Sequence, residues 1–462
     1  MTETPLGNTI TVMNTHTFKG GVHPPEHKDL TEDLPIQQAF PSTKTVSIPV
    51  TQGGAPNQPI VAVGDTVVRG QKIAASDAYM SVPVHASVSG TVKKIENRLT
   101  AGNYDCPCIV IASDDSDATD FMPPLDPFSC TKDEALKRVR DAGIVGMGGA
   151  AFPTHVKLNP PAGKVIDCVL INAAECEPYL TVDYRTMLES PEKVIDGTAI
   201  IMHITQAQSG IIVLEDNKVS VIPQLTEAIE KAGYSEKIGI SLCKTKYPQG
   251  GEKSIITAAT GREIPAGGLP CDIGCIIHNV GTAKAISEAF REGKPLIERT
   301  VTVSGGACAT PKNLVVPVGT LAADLIPQEI ELKEGIKKIT VGGPMMGFAM
   351  QSADFPIQKN TNGVLFLTDK ETSLYEESPC INCGRCVQVC PCRLVPVMMV
   401  KSLKASDLPM AVRYGLPDCT ECGSCAWICP AHVKLVQRFR AGKQLLRAEK
   451  EKQAAKKAQG GK

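Results

Sequence analysis

Two cysteine runs near the end of the chain constrain its fold more than any other feature. They are Cys380, Cys383, Cys386 and Cys390-Pro391, followed by Cys419, Cys422, Cys425 and Cys429-Pro430. Each reads C-x2-C-x2-C-x3-C-P, so four thiols fall within eleven residues twice over. A segment so dense in thiols must wrap an inorganic core. The x2 spacing brings three thiolates to three irons of a 4Fe-4S cube, and the fourth cysteine, one turn on, faces the neighbouring cube. The spacing therefore assigns Cys380, Cys383, Cys386 and Cys429 to one cluster, and Cys419, Cys422, Cys425 and Cys390 to the other. Structural zinc sites pair C-x2-C elements across a longer spacer, and a repeated run ending in Cys-Pro does not have that form. Two cubes that exchange ligands lie close together and make a path for single electrons. The remaining residues must supply what that path connects.

At 462 residues the chain exceeds one ordinary core and predicts about three or four domains. Its 48 basic and 49 acidic side chains cancel to -1, which excludes a global field for nucleic acid. No run approaches the roughly 18 apolar residues of a membrane span, and the polar start lacks the regions of a signal peptide. A soluble protein made in the cytoplasm is expected. Beyond the eight run cysteines, the rest of the 18 are scattered without a disulfide pattern, as suits a reducing compartment.

The segment Thr17 to Lys28, T-F-K-G-G-V-H-P-P-E-H-K, is too rich in Gly and Pro for a regular element and predicts an ordered arm laid over a partner surface. From Thr45 to Ile95, short apolar strands with Gly-Asp and Ser-Gly turns indicate a small antiparallel β domain. The phrases V-G-D-x-V-x-x-G-Q and V-S-G-T-V within it resemble lipoyl and biotinyl carrier domains. Ala78-Tyr79-Met80-Ser81 stands where such carriers bear a modified lysine, so a purely structural module is expected.

Thr131 with Glu134 forms a capping box for a helix to about Arg140, ended by Gly143. The loop Gly146-Met147-Gly148-Gly149 then leads to Lys157. Its backbone N–H groups can approach a phosphate closely, with Lys157 adding a charge. Strands at Val165 to Asn172, Ser209 to Glu215 and Ile238 to Cys243 alternate with helices at Pro191 to Thr205 and Ile222 to Ala232. That alternation predicts a parallel α/β sheet. Ligands gather at the carboxyl ends of such strands, where Asn172, Glu175 and Glu177 fall. Further polar clusters stand at Tyr247 to Lys253 and at His278-Asn279. Residues 299–348 read as a small mixed β domain in which Gly342-Gly343 is a turn. Val395 to Arg413 reads as helical. From Lys434 the tail carries ten Lys or Arg, with Leu435, Phe439 and Leu446 at helical spacing. This predicts a basic amphipathic helix able to meet anionic lipid or an acidic partner.

Together these motifs carry a resemblance over nearly the whole chain. The glycine loop G-M-G-G-A-A-F-P-T-H-V-K, the loop N-A-A-E-C-E-P, and the segments Y-P-Q-G-G-E and H-N-V-G-T resemble the FMN- and NADH-binding subunit of respiratory complex I. From the arm to the cysteine runs, the chain resembles more closely the C subunits of Rnf electron-transport complexes. The resemblance implies a multidomain α/β plus β fold. Residues 1–42 form the arm, 43–128 a barrel-sandwich hybrid, and 129–297 a Rossmann-like FMN/NADH-binding α/β domain. Residues 298–350 form an SLBB-type β-grasp domain, 351–376 a linker, 377–433 a bacterial dicluster ferredoxin-like domain, and 434–462 the helical tail.

The resemblance further implies that Gly146, Gly148, Gly149 and Lys157 hold the FMN phosphate and ribityl chain. Asn172, Tyr247, Glu252 and Asn279 would line the ring pocket, with Gly250 beside them, and Phe152, Glu175 and Glu177 would meet NAD(H). Ala174, His278 and Met147 depart from the complex I pattern and match the Rnf C subunits. The implied activity is an NADH-linked flavin and iron-sulfur oxidoreductase. It would exchange electrons between NAD(H), FMN and two 4Fe-4S clusters and reach ferredoxin through other Rnf subunits, from a peripheral position on the cytoplasmic face of the membrane. A cobalamin reductase of microcompartments and a flavin-free relay scaffold are the alternatives.

Overall fold

The structure is a computed structural model that describes residues 12–372 and 375–459. Residues 1–11, on which most of the signal-peptide expectation rests, lie outside the described part. No helix among the described residues is long and apolar enough to cross a membrane.

The parallel sheet forms as expected. Its strands stand in the order Val12–His16, Ile238–Cys243, Ser209–Glu215, Cys168–Ala173, Cys275–Asn279, all parallel. The run Val169-Leu170-Ile171 is apolar throughout because helices cover both faces. Val169 and Ile171 join the core beneath helices Pro191–Thr205 and Val280–Arg291, while Leu170 joins a second core beneath helix Glu252–Thr260. Helix Lys132–Asp141 starts at the predicted Thr131–Glu134 capping box. At the carboxyl edge, Asn172 and Asn279 are register partners on adjacent strands.

The edge strand Val12–His16 comes from the arm, for which no regular element is expected from sequence. The rest of the arm packs on distant parts of its own chain. Val22 pairs with Tyr247, the Gly21 N–H donates to the Val389 carbonyl at 2.8 Å, and the Lys246 ammonium stands 4.2 Å from the Phe18 ring centroid. The arm's Gly and Pro residues forbid a helix, but they leave backbone groups free to pair with distant loops.

The barrel-sandwich hybrid consists of a four-stranded sheet, Thr45–Pro49, Asp105–Ser113, Gly90–Leu99, Thr66–Val67, and a three-stranded sheet, Gln58–Pro59, Lys72–Ala75, Val84–His85. Val46, Ile48, Ile73, Val84 and Ile111 close the core between them. Its hairpin at Ala78 to Ser81 abuts the short helix Thr154–Lys157: the Tyr79 carbonyl lies 2.9 Å from His155 Nε2.

The β-grasp region differs from the expected boundaries at both ends. Its six-stranded sheet runs Phe348–Met350, Lys338–Val341, Gly363–Leu367, Glu298–Ser304, Lys312–Pro317, Ile36–Gln38. Gly363–Leu367, a wholly buried strand, sits inside the expected linker 351–376, and Ile36–Gln38 belongs to the expected arm 1–42. Sheet pairing joins segments far apart in sequence, which local pattern does not reveal.

In the cysteine-rich region a one-turn helix opens within each run, Arg385–Gln388 and Ser424–Trp427. The predicted single helix between the runs is two, Pro396–Lys404 and Leu408–Arg413, separated where Ser406 takes φ +57° and Asp407 caps the second. The tail helix spans Leu435–Gln459. Its apolar stripe is not free for lipid: Leu435 and Phe439 are buried in the same core as Met399, Ala411 and Leu416.

Candidate functional site

A cavity of about 570 Å³ opens at the carboxyl edge of the parallel sheet. Asn172, Gly250 and Asn279 line it from the sheet side, Gly342, Gly343 and Met346 from the β-grasp side, and Cys392 and Cys422 from the cysteine loops.

Hydrogen bonds fix the sheet side. Asn172 Nδ2 donates to the Gly250 carbonyl at 2.8 Å, and the Gly250 N–H points at Cys176 Sγ at 3.3 Å. Asn279 caps helix Val280–Arg291, accepting from the Gly281 N–H at 2.9 Å, and donates through Nδ2 to Asp183 at 2.6 Å. Glu175 takes φ +47°, and its carboxylate accepts the N–H groups of Asp183 (2.7 Å) and Tyr184 (3.3 Å) at the start of helix Val182–Glu189. Glu177 accepts from Met345 (3.0 Å) and Met346 (2.9 Å), so the β-grasp turn closes over it. A Cβ on Gly343 would lie 2.2 Å from Glu177 Oε2. Gly342-Gly343, read from sequence as a plain turn, is therefore a cavity wall.

Burial dominates the electrostatics here. It raises the carboxyls of Glu175 and Glu177 to about 7, against the pull of the nearby Lys28 ammonium and, for Glu177, of the two amides. Burial also raises the Asp183 carboxyl, partly offset by the Arg299 charge. For His278 burial acts the other way and holds the imidazole well below its ordinary range, hence neutral.

Nine of the twelve residues expected around the cofactor line this cavity: Gly148, Gly149, Asn172, Glu175, Glu177, Tyr247, Gly250, Glu252 and Asn279. Gly146, Phe152 and Lys157 do not. The Gly146 N–H donates to the Phe152 carbonyl, closing the glycine loop on itself, and the Phe152 side chain faces solvent at 43% exposure. Lys157 pairs with Glu252 at 3.0 Å, just outside the wall. Of the three only Phe152 is exposed; Gly146 and Lys157 are half-buried beside the cavity wall.

Burial raises the Cys386 thiol, and the thiols of Cys429, Cys380 and Cys383 raise it further. Burial likewise raises the Cys425 thiol, with Cys422, Cys419 and Cys390 adding to the shift ahead of Cys386. Cys380 and Cys383 are exposed, whereas Cys422 and Cys425 are buried. Among the described residues no three metal-binding side chains converge on a single-ion point. A cube asks for a cage instead, each thiolate meeting a different iron. Backbone N–H groups of Leu394 and Glu421 approach the sulfurs of Cys390 and Cys419 at 3.4 Å.

Comparison with known proteins agrees with this geometry. Residues 139–288 match the family of the Nuo51 FMN-binding domain, 16–116 the RnfC barrel sandwich hybrid domain, and 372–431 the 4Fe-4S dicluster domain. The chain is 46% identical to the C subunit of a proton-translocating ferredoxin:NAD(+) oxidoreductase complex from Clostridium ljungdahlii, over 95% of this chain and 96% of that one. The chain belongs to the RnfC family. The C subunit of the Na(+)-translocating complex of Acetobacterium woodii is 42% identical over 82% of this chain and 86% of its own. The C subunit of the ion-translocating oxidoreductase complex of Rhodobacter capsulatus is 41% identical over 93% and 83%.

The residues of this RnfC chain suit a flavin. A Cβ on Gly149 would meet nothing within 4 Å, which leaves room above the loop. Among the described residues, His278 Nε2 and both polar atoms of the Gln249 amide are buried without a partner, but neither residue lines the cavity. Sequence reasoning missed Asp183 and Cys176, which also line the cavity. Cys176 was legible within N-A-A-E-C-E-P. Asp183 had only its place in the first turn of a short helix as a signal.

Proposed function

We propose that the cavity holds FMN and admits NAD(H), and that the eight run cysteines hold two 4Fe-4S clusters in the crossed arrangement. The single observation that carries this reading is the shared wall: Cys392 and Cys422 line the same cavity as Asn172, Gly250 and Asn279. When bound, FMN supplies the exchange between two-electron hydride chemistry and single-electron transfer.

The chain's own groups act by position. Asn172 and Asn279, locked by their bonds to Gly250 and Asp183, present fixed polar atoms to the ring. Gly148 and Gly149 let backbone approach the phosphate end, and Lys157, once displaced from Glu252, adds a cation there. Glu175 and Glu177 bound the nicotinamide side. The Met345–Met346 turn shields the site from water. The cage of Cys419, Cys422, Cys425 and Cys390 lies nearest the cavity, and the more exposed cage of Cys380, Cys383, Cys386 and Cys429 faces outward.

The relatives named above are subunits of ferredoxin:NAD(+) oxidoreductase complexes that translocate ions. This chain is accordingly read as the NAD(H)-reacting subunit of such a complex, peripheral on the cytoplasmic face, exchanging electrons with the other subunits and through them with ferredoxin. Anaerobic reconstitution with iron, sulfide and FMN tests the reading. NADH should bleach the flavin band and then the iron-sulfur absorbance, with about eight irons per chain. Full clusters with no retained flavin and no response to NADH would leave only a relay.

A further inference from the structure

Lys28 lies in the arm, outside the segment that matches the FMN-binding family, yet it is buried to 6% exposure against that domain. Its ammonium donates to the backbone carbonyls of Glu175 (2.8 Å), Glu177 (3.1 Å) and Leu180 (2.6 Å). A buried ammonium is ordinarily met by a carboxylate; here one loop folds its carbonyls around it. Lysine is suited to this, since it has three donors and no acceptor.

The loop so gathered is strained. Glu175 has φ +47° and Tyr179 φ +68°, conformations that non-glycine residues rarely take. The arm braces both. The Tyr179 N–H donates to the Glu26 carbonyl at 2.8 Å, and the His27 ring stacks on the Tyr179 ring at 4.6 Å with the planes 17° apart. Without the ammonium three carbonyls in a buried place lose their donor, and the loop relaxes by turning them toward water. Relaxation would swing away Glu175 and Glu177, the carboxylates that this loop contributes to the cavity wall.

We propose that Lys28 is a positioning residue for NAD(H) binding: from the arm it gathers the 175–180 loop so that Glu175 and Glu177 both face the nucleotide. This role rests on the cavity's being the FMN and NAD(H) site. It gives the arm a part in the reaction, through the loop and without contact to the nucleotide.

The test uses the full holoprotein with FMN and clusters loaded. In Lys28→Met the KM for NADH rises about tenfold or more. Flavin content, iron content and the extent of cluster reduction by dithionite stay at wild-type values. His27→Ala, which keeps the ammonium and removes only the stack, moves KM the same way by a smaller factor and serves if Lys28→Met loads poorly. Wild-type KM in both variants overturns the inference. So does activity that falls only in proportion to lost flavin with KM unchanged, because that marks a merely structural brace. Absence of any NADH response in the wild type would instead sink the reading of the cavity itself.

Discussion

Tyr247 donates its hydroxyl to the backbone carbonyl of Cys422 at 2.7 Å. The tyrosine belongs to the Y-P-Q-G-G-E segment of the α/β domain and Cys422 to the second cysteine run, 175 residues on. Tyr247 is 2% exposed and its backbone pairs with Val22 of the arm. One residue thus joins the cavity, the arm and the second cysteine run.

Replacing that tyrosine tests whether the contact matters for electron flow. Tyr247→Phe removes the hydroxyl and orphans the Cys422 carbonyl, at a cost of about 1–3 kcal/mol. Stopped-flow spectra under anaerobic conditions should show flavin bleaching by NADH at the wild-type rate, and cluster reduction slowed several-fold. Equal slowing of both phases would refute a role confined to the interface.

Gly20 and Gly21 both have φ +83°. A Cβ on Gly20 would lie 2.9 Å from the carbonyl oxygens of Val389 and Cys390, and one on Gly21 2.7 Å from that of Tyr247. Gly20→Ala therefore pushes the cysteine-rich region off the arm, while backbone strain adds about 1 kcal/mol. We expect a lower onset of thermal unfolding and slower flavin-to-cluster transfer, with KM for NADH unchanged. A wild-type transfer rate in this variant would show that the arm does not set the spacing.

The crossed assignment makes a reciprocal prediction. Cys390→Ala should remove the cluster otherwise held by the second run, and Cys429→Ala the one held by the first, each leaving about four irons. With Cys429→Ala, NADH still reduces the remaining cluster beside the cavity. With Cys390→Ala, reduction of the remaining outer cluster is slow. Iron analysis with electron paramagnetic resonance before and after NADH distinguishes the two, and identical behaviour would refute the order.

Burial raises the Glu177 carboxyl to about 7 from an ordinary 4.5, mainly through desolvation. A carboxyl raised on folding stays protonated while its unfolded counterpart ionises. The stability associated with it is therefore complete below about pH 4.5 and is lost as pH rises through about 7. At about 1.4 kcal/mol per pH unit the loss is about 3.4 kcal/mol at its upper limit. Glu177→Gln should flatten the pH dependence of thermal unfolding between pH 5 and pH 7, without abolishing the cap from Met345 and Met346. Parallel curves for variant and wild type would contradict the shift.

Local pattern in the sequence revealed much of this molecule. The cysteine spacing anticipated the dicluster domain, Thr131–Glu134 marked a helix start, and alternating strands and helices announced the parallel sheet. What stayed hidden depended on distance along the chain. Lys28 meets carbonyls 147 to 152 residues away, and no local signal marks it. Gly363–Leu367 is a five-residue apolar run that reads equally as linker until the Glu298–Ser304 strand lies beside it. The tail's apolar stripe was visible, but periodicity alone does not say whether a stripe meets lipid or the chain's own core.

Among the described residues the strand Val12–His16 pairs only with Ile238–Cys243, and Ile36–Gln38 only with Lys312–Pro317. During synthesis each of these strands must therefore wait for a partner more than two hundred residues further along the chain. The parallel sheet has an open edge throughout that interval, and the arm that closes it also fastens the cysteine-rich region. Docking of the arm is in this way a late event of folding, and a change to the arm reaches the cysteine-rich region more directly than its distance in sequence suggests.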